Sequence, residues 1–424
     1  MKYLWRNKLL LIILAIVILM FPTTISLPQQ SRSENIVTAV GIDKVGDKYE
    51  ITLQYLIPDS SSGQNSLKLA SLKGKSVADT MEKINLDFGK VSGFAHCRVL
   101  IFNDEAGNND LFNELDYFQK IKVNSNNILL VNTKDSAKDL LSAVENLNSD
   151  FYVILSRYSV EDKHNQYQAL KTIGDYYNEM LGDNRTIAIN SIDLEKSEAT
   201  GGSGGESGGS SSGSSSQGGD DKKSESSGAS SGGSSGGGDK GESKIKNDGK
   251  LCILKDNKIV ETLSSDDSRR LNWFSKRVKD MTLEINGFSD DTYQNADMTF
   301  DIFKKKTKIK VDFVGGQPIY KLCVDVNASL VESRTGDVNK EEYKVNNRRF
   351  SDKLKGAIKA QILREMVQAE ENFVSKKYDV IQCHEYFYKF KNKQYKDYIA
   401  KLPSRDDFLQ YVKFEYQINI NQWN

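Results

Sequence analysis

The stretch MTFDIFKKKTKIKVDFVGGQPIYKLCVDV, Met298–Val326, decides the fold of the C-terminal third. Met298, Phe300 and Ile302 alternate with other residues, as do Ile309, Val311 and Phe313, then Tyr320, Leu322, Val324 and Val326. A period of two marks strands with one buried face. Lys304–Thr307 and Gly315–Gln317 supply turn chemistry between the runs, which predicts an antiparallel meander. A long helix follows, with Leu354, Ile358, Ile362, Met366, Ala369 and Phe373 as its apolar stripe. A second helix is expected around Cys383–Tyr398 or at Ser404–Tyr411. The alternation Val412, Phe414, Tyr416, Ile418, Ile420 closes the chain as a half-buried antiparallel strand.

Upstream, Leu251–Leu254 and Ile259–Leu263 read as a hairpin around Asp256–Asn257, followed by a helix with Leu271, Phe274, Val278 and Met281 on one face. Before the hairpin the chain is almost entirely Gly, Ser and a few charges. Such composition cannot bury enough surface to offset ordering entropy, so residues 200–245 are expected to be a flexible coil. Ile187 and Ile189, then Ile192 and Leu194, alternate with a one-residue slip, as a β-bulge would produce. These strand residues alone have too few partners to close a domain. The coil is therefore expected to be a loop within one unit, its cost growing only as the logarithm of its length.

The N-terminal part reads as β-β-α-β-α-β-α, with strands at Val37–Ile42, Tyr49–Leu56, Cys97–Phe102 and Ile128–Val131. Val77, Met81, Ile84 and Phe88 give one buried helical stripe, opened by Ser76 and Asp79 and closed by Gly89. The expected fold class is mixed α/β (α+β) in three consecutive units, 31–148, 149–290 and 291–424, behind an N-terminal segment 1–30.

That segment carries an apolar run, Leu9–Phe21, behind Lys2, Arg6 and Lys8, a pattern of export signals and signal anchors. As a helix the run spans about 20 Å, and extension to Leu27 brings it to about 28 Å, against a hydrocarbon core of about 30 Å. No A-x-A pattern follows Phe21. The reading is an uncleaved anchor in preference to a cleaved signal, with Leu9, Leu14, Ile18 and Phe21 in the bilayer and the remainder on the extracytoplasmic side.

Charge is balanced at 58 basic and 58 acidic residues, so no field favours nucleic acid. Cys97, Cys252, Cys323 and Cys383 have no C-x-x-C or metal-ligand spacing. Buried thiols are the first expectation, with a Cys323–Cys383 disulfide open to an exported chain. His96 and His384 each adjoin a cysteine, yet sequence neighbours point to different faces of a strand or helix, which argues against each local nucleophile–base couple and leaves only a long-range pair open. Lys304, Lys305, Lys306, Lys308 and Lys310 read as a solvated hairpin tip, with anionic headgroups or an acidic partner as the functional alternative. Glu370 and Glu371 are expected in solvent. Glu365 falls at the stripe's edge, where burial would demand a partner. No catalytic residue, cofactor or metal site is assigned.

The order of several short motifs resembles a family. Val40-Gly41-Ile42-Asp43-Lys44 resembles the V-G-I-D-K opening of GerAC-type proteins, the C subunits of bacterial spore germinant receptors. His96-Cys97-Arg98-Val99-Leu100-Ile101 is similar to their G-H-x-x-V-x-I strand, with Ala95 where glycine is usual. Lys377-Tyr378-Asp379-Val380, then Tyr395-Lys396, resembles the late K-x-D…W-K block, with Tyr395 in place of tryptophan. The likeness runs from about Glu34 to Ile420, outside the Gly/Ser tract.

The resemblance implies a three-domain α/β ectodomain without known catalytic activity, on the outer face of the spore inner membrane. It also implies two integral-membrane partner subunits and a receptor that senses a small-molecule germinant. Gly41, Asp43, His96, Val99, Asp379 and Lys396 are then structural positions of the family, and no germinant site carries over. Two features depart from the family. The usual lipid-modified cysteine after the signal is missing from Pro22–Gln29, which favours a helical anchor, and the Gly/Ser tract is an insertion. A solute-binding or envelope scaffold protein is the second reading. A cell-surface hydrolase, the third, would need a nucleophile–base pair to emerge from the fold.

Overall fold

The computed structural model describes residues 35–58, 65–88, 92–120, 125–146, 150–156, 170–195, 244–335 and 350–422. The expected anchor, Gly89 and all but the last two residues of the Gly/Ser tract lie outside them.

The fold is mixed α/β. Its larger sheet has ten strands: β1 (Asn35–Val45), β2 (Lys48–Pro58), β3 (Asn65–Gly74), β4 (Ser92–Gly93), β5 (Val99–Asn103), β6 (Leu129–Thr133), β7 (Lys171–Thr172), β8 (Thr186–Ser191), β11 (Leu251–Lys255) and β12 (Lys258–Leu263). The order is β12-β11-β8-β6-β5-β1-β2-β3, with β4 beside β1 and β7 beside β6. Strands β1, β5, β6 and β8 run parallel, and an antiparallel hairpin extends the sheet at each end. The parallel centre explains why Val99-Leu100-Ile101-Phe102 is an unbroken apolar run: both faces are covered. Leu100 and Phe102 pack with the helices Val77–Phe88, Leu111–Lys120 and Ile173–Leu181, whereas Val99 and Ile101 pack with Ala137–Asn146 and Phe151–Ser156.

This sheet runs across the expected boundary at residue 148. Strand β8 is buried along its whole length and needs a neighbour on each side, which β6 and β11 provide. The run expected as one bulged strand is two. Ile187 and Ile189 belong to β8, whereas Leu194 lies on β9 (Asp193–Glu195), paired antiparallel with β10 (Lys244–Lys246). That pair sets Glu195 opposite Lys244, so the two ends of segment 196–243 are adjacent. Replacing residues 196–243 by a four-residue turn is therefore expected to preserve folding. Urea unfolding should show a gain of about 2 kcal/mol from the shorter loop closure, and loss of folded protein would contradict this.

The second sheet is β13 (Met281–Phe288), β14 (Ala296–Val314), β15 (Gln317–Thr335) and β16 (Lys413–Gln422), in that order. The meander is present with different strands. The expected first two are one strand, β14, whose register shifts between Phe303 and Lys306 at a left-handed Lys304. The missing strand is β13, which lies on the other side of the expected boundary at 290 and includes Met281, the last residue of the expected helix stripe. That helix ends at Leu271 instead. Strand β16 is parallel to β15. Side-chain alternation is the same for either direction, so the pattern could not distinguish them.

The Asp352–Ser375 helix covers this sheet with the expected stripe, capped by Ser351 Oγ accepting from the Leu354 N–H. Strand β11 joins the two bodies. Cys252 and Leu254 face the first core, whereas Leu251 and Ile253 share the second with Trp273, Phe373 and Ile362.

Candidate functional site

The V-G-I-D-K segment is the C-terminal half of β1 and its chemistry is that of a helix seat. A Cβ on Gly41 would lie 3.1 Å from both Ala137 Cβ and Leu141 Cδ1, so glycine lets the Ala137–Asn146 helix approach the strand. Asp43, two residues on, accepts from the backbone N–H groups of Ala137 (2.7 Å) and Lys138 (2.9 Å) and from Ser136 Oγ (2.9 Å). It thus satisfies the open start of a helix 94 residues away. Burial pushes its carboxyl upward against the pull of those three donors. The next motif is simpler. His96 is exposed in the turn before β5, and Val99 is buried on that strand.

The late motif closes the Asp352–Ser375 helix and starts the next. Lys377 adopts φ 58°, and the Tyr378 N–H reaches Phe373 O at 2.9 Å, the Schellman arrangement with lysine where glycine is usual. Asp379 is buried and accepts from the N–H groups of Cys383 (2.6 Å) and His384 (2.7 Å), seating the Cys383–Phe390 helix. His384 Nδ1 lies 2.7 Å from the Tyr395 hydroxyl, itself buried where the family resemblance expects tryptophan. Lys396 is exposed, its ammonium 5.3 Å from the Tyr388 ring centre.

Burial pushes Asp379 up to about 7 and His384 down to about 3, so the two have opposite pH dependence. The raised acid stabilises the fold below its unfolded pKa of about 3.9 and loses that contribution as pH rises to 7. The depressed histidine does the reverse, losing its contribution as pH falls from about 6.5 to 3. Between about pH 4 and 6.5 the slopes oppose. Asp379→Asn should therefore become less stable relative to wild type on acidification through that window, and His384→Leu more stable. Unfolding midpoints at several pH values check this; unchanged slopes in both variants would contradict it.

Around Asp379 runs a polar seam between the ten-stranded sheet's body and the C-terminal body. Lys255 Nζ donates to Lys377 O at 3.0 Å and pairs with Asp406 at 2.5 Å. Arg405 pairs with Asp183 at 2.5 Å, Gln382 donates to Glu179, and Arg277 holds Asp175 through both guanidinium nitrogens at 3.1 and 2.9 Å. The sequence offered no signal for these pairs, because their members lie 100 to more than 200 positions apart.

Cys97, Cys252, Cys323 and Cys383 are free thiols. The open Cys323–Cys383 pairing is thereby corrected. Cys383 is buried beside Tyr320, on whose side of β15 Leu322 and Val324 also face the core, whereas Cys323 points the other way, 3.6 Å from Gln417. Burial pushes the Cys97 thiol up to about 12 and those of Cys252 and Cys383 well above the ordinary range, which suppresses thiolate chemistry. Among the described residues no group of three or more His, Cys, Asp or Glu could hold a metal ion.

Two charged side chains behave unlike their neighbours. Glu365 is 2% exposed and meets the partners its position required: Arg269 at 2.8 Å and the Trp273 indole N–H at 2.6 Å. Lys305 corrects the wholly solvated cluster. It is buried, donating to Ser275 O (2.6 Å), Thr307 Oγ1 (3.0 Å) and Trp273 O (3.4 Å), and burial pushes its pKa down to about 7. Those carbonyls belong to the segment where the expected helix stops. Glu370, expected in solvent, is half-buried and accepts from the Tyr416 hydroxyl.

A family model described as the spore germination protein N-terminal domain matches residues 31–194, and one described as spore germination B3/GerAC like, C-terminal, matches residues 249–421. Spore germination protein B3 of Bacillus subtilis (strain 168) is 30% identical over 103 residues, which are 24% of this chain and 25% of that protein. The chain thus aligns with about a quarter of that relative's length. The crystal structure of the GerBC protein superposes over 91% of this chain and 97% of that one, at 16% identity and a TM-score of 0.49.

Proposed function

The chain belongs to the GerAC family of spore germination proteins, and from that premise we propose that it is a non-enzymatic, membrane-anchored subunit of a nutrient-germinant receptor. The observation that carries this reading is the pair of family models, one at each end of the folded region and both concerned with germination. In this reading the apolar run Leu9–Phe21 holds the chain in the spore inner membrane. The two bodies face outward and assemble with two integral-membrane subunits, and the complex responds to a small germinant. High-pKa thiols and motif aspartates occupied in capping helices support work by contact surfaces rather than by reactive groups.

The reading is tested by deleting the gene in a strain without a paralogue. Spores should keep their refractility after nutrient addition, still germinate by a non-nutrient trigger, and recover on complementation. Normal nutrient germination after deletion would overturn the proposal. An open, mostly apolar cleft lined by Ile253, Leu263, Leu271, Phe373, Tyr378 and Val380, with Asp267 and Asn372 also in its lining, lies between the two bodies. Its Asp267 carboxylate is already taken by Arg270 and by the Ser264 hydroxyl, so the cleft adds no specific support for the solute-binding alternative.

A further inference from the structure

The tip of the β14–β15 hairpin meets the end of the Cys383–Phe390 helix at an exposed corner. Asp312 and Lys391 join the two elements at 2.6 Å, and Phe313 packs on Phe387 with ring centres 5.3 Å apart. At this corner Val314 is 60% exposed and Phe390 58%, large values for apolar side chains. Phe390 stacks on Tyr386 at 6.2 Å, and Lys276 lies over the Tyr386 ring at 4.7 Å. In a chain of zero net charge, Tyr386–Lys396 holds four lysines and no acid. Lys389 and Lys393 are exposed at the corner, and farther down the face of β14 that carries Val314 lie Lys310, Lys308 (paired with Asp325 at 3.7 Å) and Lys306.

Exposed apolar and aromatic side chains flanked by lysines match the chemistry of a bilayer interface, where rings enter the headgroup layer and ammonium groups meet anionic phosphates. We infer that this corner seats on an anionic membrane surface, orienting the C-terminal body against the bilayer. The inference rests on the membrane tether of the proposed function. Thirteen residues separate Phe21 from Asn35, a reach of at most about 45 Å, so the tether keeps the folded region within contact range of the bilayer. The lysines favour phospholipid over an apolar protein partner. An acidic protein surface is the competing occupant, and the experiment separates the two.

Phe390→Cys in a Cys323→Ser background places an environment-sensitive fluorophore on an exposed position, the three other thiols being buried. The full-length chain is reconstituted into vesicles of phosphatidylcholine alone or with about 30% phosphatidylglycerol. Flotation reports the tether separately. The expected result is flotation with both lipids. The probe should shift to the blue and gain at least about twofold in intensity on anionic vesicles only, with loss of both effects in Lys389→Glu/Lys393→Glu. A probe at Leu86→Cys, also exposed, should stay in water. Flotation with a water-like probe at position 390 on both vesicles overturns the inference and leaves the tether standing, as expected if a protein surface covers the corner. A response from both probes also overturns it. Failure to float sinks the tether and the inference together.

Discussion

Glu365→Ala is expected to cost about 3–5 kcal/mol, the range for removing one partner of a buried ion pair. The carboxylate holds Arg269 and the Trp273 indole N–H in the C-terminal core, and both lose their partner at once. Alanine also leaves a void beneath Trp273, which is fully buried. Glu365→Gln retains an acceptor for the indole but not the charge, so it should lose about half as much. Urea unfolding of the purified protein measures both, and a loss below about 1 kcal/mol for the alanine variant would contradict the arrangement. Since Lys305 rests on the Trp273 and Ser275 carbonyls, the damage should spread to the bulge in β14, visible as faster amide exchange there.

Asp43→Ala is expected to cost about 2–4 kcal/mol by uncovering two backbone donors and a hydroxyl at the start of the Ala137–Asn146 helix. The Ala137 bond is buried, so water cannot fully replace the carboxylate. Asp43→Asn keeps one acceptor oxygen and should lose less. Amide exchange should accelerate first in that helix, because Asp43 is a long-range cap rather than a part of it. Equal protection in the alanine variant and wild type would contradict the capping role. This also gives the motif's glycine and aspartate one physical purpose, since Gly41 sets how near the helix comes and Asp43 fixes where it begins.

Periodicity made much of the fold legible. The stripe from Leu354 to Phe373 and the hairpin at Asp256–Asn257, whose two residues take the left-handed backbone that a two-residue hairpin turn favours, follow from local rules. Glu365 was also readable, because its angle on the helix put it at the core's edge. Lys305 was hidden in a basic cluster. A one-residue slip after Ile302 moves positions 305, 307, 309 and 311 onto the core face. The merging of residues 186–263 into the first sheet depends on parallel pairing between β6 and β8, which leaves no local trace. Asp43 as a cap, and the seam around Asp379, likewise depend on partners brought together only by folding.

The central claim is that this chain works by assembly with membrane subunits. The most direct measurement is identification of proteins that co-purify with the tagged full-length chain from detergent-solubilised spore membranes. The account predicts two integral-membrane proteins in constant proportion to the chain. Recovery of the chain alone, from membranes in which nutrient germination is intact, would contradict it.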